Sequence, residues 1–190
     1  MATSDFCGIR GGVLANCESR QKAQGGVKTT FWLGSVNELD TATTLANTDG
    51  SGYINSLDFL DYCGLYKFTG IKAGANGQDN INQDDDGNPF YPHTATFKMY
   101  DITPEEILNI ESLGYVDLFI IYEDFNGEFP MYGLPQGMTV TNAPKSTGNQ
   151  AGDSTARLLT LEGNQNKLRR MFSTGDTATT RAALTSYEVG

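Results

Sequence analysis

The sequence predicts a mainly β protein with one flanking helix, an α+β chain. Three observations predict it. The 190 residues include 22 glycines against 6 prolines, a composition of many turns rather than long helices. Residues 116–134, VDLFIIYEDFNGEFPMYGL, read as a β-hairpin around which the rest is built. Thr103-Pro104-Glu105-Glu106 is the one clear helix start.

In the hairpin, Leu118, Phe119, Ile120 and Ile121 form a continuous apolar run, which suits a strand covered on both faces. Asn126-Gly127 supplies residues that accept positive φ, a strong hairpin signal. The return arm carries Pro130 and Gly133 and is expected to be the more exposed one, at an edge or bulge. The helix has Thr103 as N-cap, Pro104 at the first helical position and Glu106 closing a capping box. Ile107, Leu108, Ile110 and Leu113 form its apolar face, and Gly114 ends it.

The other elements follow in order. Residues 1–25 are small, polar and Gly-rich and read as an N-terminal arm that orders, if at all, against a neighbouring chain. Residues 27–33 (VKTTFWL) read as a first strand, with Trp32 in the core. Residues 35–46 fit a short helix, with Val36, Leu39 and Thr43 on one side, or a strand or loop equally well. Residues 53–57 and 62–69 read as short strands near a turn at Gly50 to Gly52. A long polar loop is expected near 70–90, followed by a strand at 93–101. After the hairpin, residues 137–140 continue a sheet, and 142–154 form a second polar loop. Residues 155–162 alternate at period two as a strand, and 164–172 read as a short helical turn with Leu168, Met171 and Phe172 inward. Residues 173–190 have little to bury and read as a C-terminal tail, either extended or mobile or an arm that docks on another subunit. The domain proper therefore spans 26–172.

The net charge of −10 opposes a phosphate-binding surface. It is compatible with a channel wall along which DNA must slide. Cys7, Cys17 and Cys63 are odd in number and lack metal-ligand spacing, so free thiols in a reducing compartment are expected. No secretory leader pattern opens the sequence, and no run approaches the ~20 apolar residues of a membrane span.

One stretch resembles a calcium loop. In residues 47–58, Asn47, Asp49 and Ser51 fall at the first, third and fifth positions, and Gly52 at the turn. Tyr53 offers its carbonyl at the seventh position and Asp58 takes the twelfth. Asn at the first position and the short Asp at the last weaken it, and a polar turn explains the same residues. Residues 82–87 (NQDDDG) read as a solvated acidic loop. No catalytic constellation stands out. His93 is the only histidine, so any Ser-His-Asp or Cys-His chemistry depends on it. Glu123, Asp124 and Glu128 flank a turn, and Lys167, Arg169 and Arg170 form a small basic cluster. No cofactor or metal site is expected; calcium is the one candidate ion.

The order of these features resembles virion proteins of tailed bacteriophages, namely the tail-tube-like or neck ring proteins of crAss-like phages of gut Bacteroidetes. The resemblance covers roughly residues 25–172. It is carried by Gly25-Gly26-Val27-Lys28 leading a strand, the turn at Gly50 to Ile54, and the helix from Thr103. It continues through VDLFIIYED with Asn126-Gly127, Met131-Tyr132-Gly133-Leu134 through Gly137, the loop around Thr147 to Asp153, and the strand from Leu158 to Gly163. It implies a β-sandwich or barrel of tail-tube type with long loops and termini that reach neighbouring subunits. It also implies a virion protein, made in a host cytoplasm, that forms a closed ring with copies of itself, meets adjacent tail or neck proteins and lets DNA pass through its lumen. The alternative is a secreted or surface calcium-binding β-module resting on Asn47, Asp49, Ser51, Tyr53 and Asp58. A hydrolase using His93 or a carboxylate pair is the third reading.

Overall fold

The computed structural model describes residues 26–48, 52–70, 74–99, 103–145 and 156–189. Ten strands and three α-helices follow one another among them. The strands are β1 (Val27–Ser35), β2 (Tyr66–Thr69), β3 (Ala75–Asp79), β4 (Asn82–Gln83), β5 (Pro89–Met99), β6 (Leu118–Asp124), β7 (Phe129–Tyr132), β8 (Thr139–Asn142), β9 (Arg157–Gln165) and β10 (Arg170–Phe172). The helices are α1 (Thr41–Ala46), α2 (Pro104–Leu113) and α3 (Thr177–Ser186). The fold is mainly β, as expected, and takes the sandwich form.

Two antiparallel five-stranded sheets make the sandwich. The first runs β10-β7-β6-β1-β2; the second runs β3-β5-β9-β8, with β4 also paired to β5. The first sheet is buried on both faces except along β2. Phe31, Leu33, Leu118, Ile120, Tyr122 and Tyr132 face the second sheet, against Phe97, Leu159 and Leu161. Trp32, Phe119, Ile121, Phe129 and Met131 face the other way, against Leu39, Ile54, Leu65, Phe172 and Leu184. Successive strand residues point to opposite faces, so a strand with both faces covered has no polar positions to spare. That is why β6 reads as an unbroken apolar run. Burying each such side chain contributes roughly 1.5–3 kcal/mol.

The capping box at α2 is formed: Thr103 Oγ1 accepts from Glu106 N at 3.2 Å, and Glu106 Oε2 accepts from Thr103 N at 2.8 Å. The central hairpin forms too, with only Gly127 at positive φ (+82°). Asp124 Oδ1 closes its turn by accepting from the N–H groups of Asn126 and Glu128, both at 2.8 Å.

Several expectations are corrected. The return arm β7 is buried and lies between β6 and β10. Pro130 falls opposite Tyr122, and its missing N–H interrupts the ladder there, between the Ile120–Tyr132 pair and the Asp124 N to Glu128 O bond at 2.9 Å. Residues 53–57 form no strand; only Ile54 pairs, by isolated bridges to Thr48 and to Phe172. The loop expected near 70–90 contains β3 and β4, whose polar residues pair by main chain on a sheet margin. The expected helical turn at 164–172 is the end of β9, a bend and β10; Phe172 is buried but Leu168 is 41 % exposed. The C-terminal tail, expected to have little to bury, contains α3. Asp176 caps it by accepting from Thr179 N at 2.7 Å, and Leu184 is fully buried against the first sheet.

Candidate functional site

Along β2, the last strand of its sheet, main-chain groups point alternately to β1 and outward. Gly70 N donates to Thr29 O at 2.6 Å, so Phe68 and Tyr66 also face β1, while Leu65, Lys67 and Thr69 face outward. Leu65 is satisfied by the chain's own C-terminal segment: its N–H donates to Tyr187 O at 2.8 Å, and its carbonyl accepts from Val189 N at 3.0 Å. This parallel pairing stops at Val189, leaving the outward main chain of Lys67 and Thr69 without a partner among the described residues. The edge borders a groove of about 1030 Å³ between β2, α2 and residues 185–189. Its apolar floor includes Phe68, Met99, Ile110, Leu113 and Val116, and Glu38, Glu106 and Glu188 line it with Lys67.

Glu188 is a hub of this edge. Its Oε1 accepts from Trp32 Nε1 at 2.9 Å and sits 3.4 Å from Lys67 Nζ. Burial pushes its carboxyl up, but the Trp32 hydrogen bond and the Lys67 charge outweigh that and hold it below the usual range. Next to the groove, exposed Tyr66 stands near a loop tip bearing exposed Leu60 and Tyr62. Tyr62 is fully exposed and has φ of +65°, a conformation that costs a bulky side chain energy.

The residues weighed for catalysis take structural positions. His93 is 1 % exposed on β5. Its Nδ1 accepts from Gly133 N at 3.0 Å, and its ring meets Tyr132 edge-on at 5.8 Å between centroids. Nε2 makes no hydrogen bond of normal geometry, although the Lys167 backbone is near enough to favour the protonated ring. Burial dominates and lowers the imidazole below its usual value. A ring so enclosed reaches no substrate in this conformation. Glu123, 3 % exposed, is held by Lys28 and Arg181. Burial raises its carboxyl, but the hydrogen bonds and charges of Arg181 and Lys28 prevail and lower it. In the basic cluster, Arg169 pairs with Asp79 at 3.0 Å, so its charge serves the sandwich margin.

The calcium-loop residues are only partly brought together. Asp49 and Ser51 lie outside the described residues. Asn47 ends α1, and its carbonyl accepts from Asn55 N at 3.0 Å. Asp58 is exposed; its N–H donates to Thr44 Oγ1 at 3.0 Å, and its carbonyl accepts from Asp40 N at 2.7 Å. Tyr53 lines a separate shallow cleft. A helix precedes this loop but none follows it, since 55–58 are irregular. Among the described residues, no three His, Cys, Asp or Glu groups cluster in a way that could hold a metal. Asp84 Oδ1, in the acidic loop, accepts from Asp86 N and Asn88 N and so serves the turn itself.

Sequence reasoning missed the groove. Its parts come from β1, β2, α2 and the C-terminus, which are far apart in the chain; the alternation at residues 66–69 was the only local signal. No described helix is long and apolar enough to cross a membrane. No protein-family model matches the chain, and searches of curated proteins and of solved structures found no match.

Proposed function

We propose that this chain is a structural virion protein that assembles into closed rings of a phage tail tube or neck around a DNA channel. The observation that carries the reading is the uncapped edge of β2 above an apolar groove. An unpaired strand edge is a template for pairing with another chain, and sheets that are not meant to pair blunt such edges. Here Leu65 is covered, and the outward main chains of Lys67 and Thr69 have no partner among the described residues. Exposed Leu60, Tyr62 and Tyr66 beside it add apolar surface of the kind that marks contact sites. A contact between this edge and a different surface of the next copy is heterologous, and it closes into a ring when the rotation allows. The charge of −10 suits a lumen that repels phosphate and lets DNA slide. Adjacent tail or neck proteins are the other partners, and the virion is the location.

Native mass spectrometry of the full chain, with calcium and with chelator, tests this. A closed ring of six or more copies, indifferent to chelator, supports it. A monomer that gains calcium mass and melting temperature replaces it with the calcium-binding module.

A further inference from the structure

At Gly133 the chain leaves β7 and passes from one core to the other. Tyr132, just before it, is buried between the two sheets, and Leu134, just after it, is buried on the far side of the first sheet. Residues two apart on a strand share a face, so the passage needs a break in the strand, which Gly133 supplies with φ of +95°. Residues 133–138 then cross toward β8 in the second sheet. The far end of this crossing is held by neutral amides. Gln165 Oε1 accepts from Gln136 N at 2.8 Å, Gln165 Nε2 donates to Gly137 O at 2.6 Å, and Asn166 N donates to Gln136 Oε1 at 2.9 Å. Its near end is held by the imidazole of His93, whose Nδ1 accepts from Gly133 N.

A backbone N–H only donates, so Nδ1 keeps its lone pair and the neutral ring carries its proton on Nε2, toward the Lys167 main chain. A second proton lands on Nδ1 and sets N–H against N–H. The groups around the ring give that cation no net support. Tyr132 from β7 meets the ring edge-on, and Tyr122 from β6 stands behind Tyr132. From β9 the residue opposite is Gly163, which has no side chain. Asp79 on β3 favours a charged ring. Its carboxylate is held at 3.0 Å by Arg169, which follows Lys167 between β9 and β10 and whose guanidinium opposes the charge.

We propose that His93 is an acid-released latch: its neutral imidazole fastens Gly133 at the crossing, and protonation of Nδ1 frees residues 133–135 while the amide-held end and both sheets stay in place. The proton comes from solvent, and the hydrogen bond from Gly133 is what it breaks. The ring is 1 % exposed, so it takes that proton only as the crossing opens. Opening and the uptake of one proton are therefore linked. The latch works within a single copy and stands apart from the ring reading.

The test is hydrogen exchange of the full chain between about pH 5.5 and 7.5, read at single amides and corrected for intrinsic rates. Protection of the Gly133 amide is expected to fall by up to about tenfold per pH unit below the ordinary histidine value of 6.5, the slope of one proton taken up. Gly133 should also exchange at least about tenfold faster than Phe97 and Leu159 in the centres of β5 and β9, and should ignore low urea, as a local opening does. A Gly133 amide that matches Phe97 and Leu159 in rate and in urea dependence overturns the latch, because the His93 proton is then felt only in global unfolding. Protection that does not change with pH overturns it too. His93→Asn keeps an acceptor for Gly133 N–H but cannot titrate, so the pH dependence at Gly133 should vanish; a dependence that persists overturns the latch. If that variant does not fold, the wild-type rates, urea response and pH slope decide by themselves.

Discussion

Arg181 on α3 donates to both carboxylate oxygens of Glu123 on β6, through Nε to Oε2 at 3.1 Å and through its terminal nitrogen to Oε1. Lys28 on β1 donates to the same carboxylate. The C-terminal helix is thus tied to the two central strands of the first sheet by one buried acid. Replacing Arg181 by Ala leaves Glu123 with Lys28 alone. Because Arg181 is half exposed, the expected loss is modest, about 1–2 kcal/mol. Glu123→Ala removes both ion pairs but releases two half-exposed cations to water, so its expected cost is similar, about 1–2 kcal/mol. Urea denaturation checks both values, and limited proteolysis checks that the C-terminal helix is cut first.

The same carboxylate sets an acid limit. Glu123 is lowered in the folded state, so its contribution is present above its unfolded value of 4.5 and is lost as pH falls through the folded value. The denaturant midpoint of the wild type should fall below pH 4.5 more steeply than that of Glu123→Gln. Equal slopes would show that the pair contributes nothing.

His93 predicts a second, milder dependence. Its folded value is below the unfolded 6.5, so the unfolded chain takes the proton first as pH falls. Stability is full above 6.5 and declines as pH drops from there toward the folded value. His93→Asn offers Gly133 N–H an oxygen but cannot titrate. It should start about 1–3 kcal/mol less stable from lost packing and show no decline over that window. Thermal melts at several pH values between about 5.5 and 7.5, about one unit either side of an ordinary histidine, read the difference.

Leu184 and Leu168 make a contrasting pair near the C-terminus. Leu184 is fully buried, and Leu184→Ala should cost about 2–5 kcal/mol through lost burial and a cavity. Leu168→Ala, at an exposed site, should stay within about 0.5 kcal/mol of wild type. A tail that did not pack would leave both variants alike in chemical denaturation.

Tyr62 has no packing to lose and a backbone that disfavours its side chain. Tyr62→Gly should raise the denaturant midpoint by relieving φ of +65°. Under the ring reading it should also weaken assembly, by removing an aromatic from the contact surface. Stability and oligomer mass measured on one sample separate the two effects.

Much of the scaffold was legible in the residues. The helix from Thr103 was readable because a capping box and Pro104 act within one turn, where neighbours in sequence are neighbours in space. Strand β6 was readable because both its faces are buried, which favours the apolar run Leu118 to Ile121 that opens it. Helix α3 was hidden because its threonines have middling propensity and only Leu184 and Thr180 are buried. Its signal was Asp176 as N-cap. Strands β3 and β4 were hidden because Ala75 to Asp79 and Asn82-Gln83 are held by main-chain pairing to β5, which polar residues satisfy as well as apolar ones.

By itself, then, the sequence determined the β-rich class, the capped helix, the Gly127 turn and the strand covered on both sides, since each depends on local sterics, capping or a burial period. Only the tertiary structure decided that β7 is internal, that His93 and Glu123 are enclosed, and that the C-terminus docks beside β2 yet stops at Leu65. Those outcomes depend on which segments meet across long sequence separations.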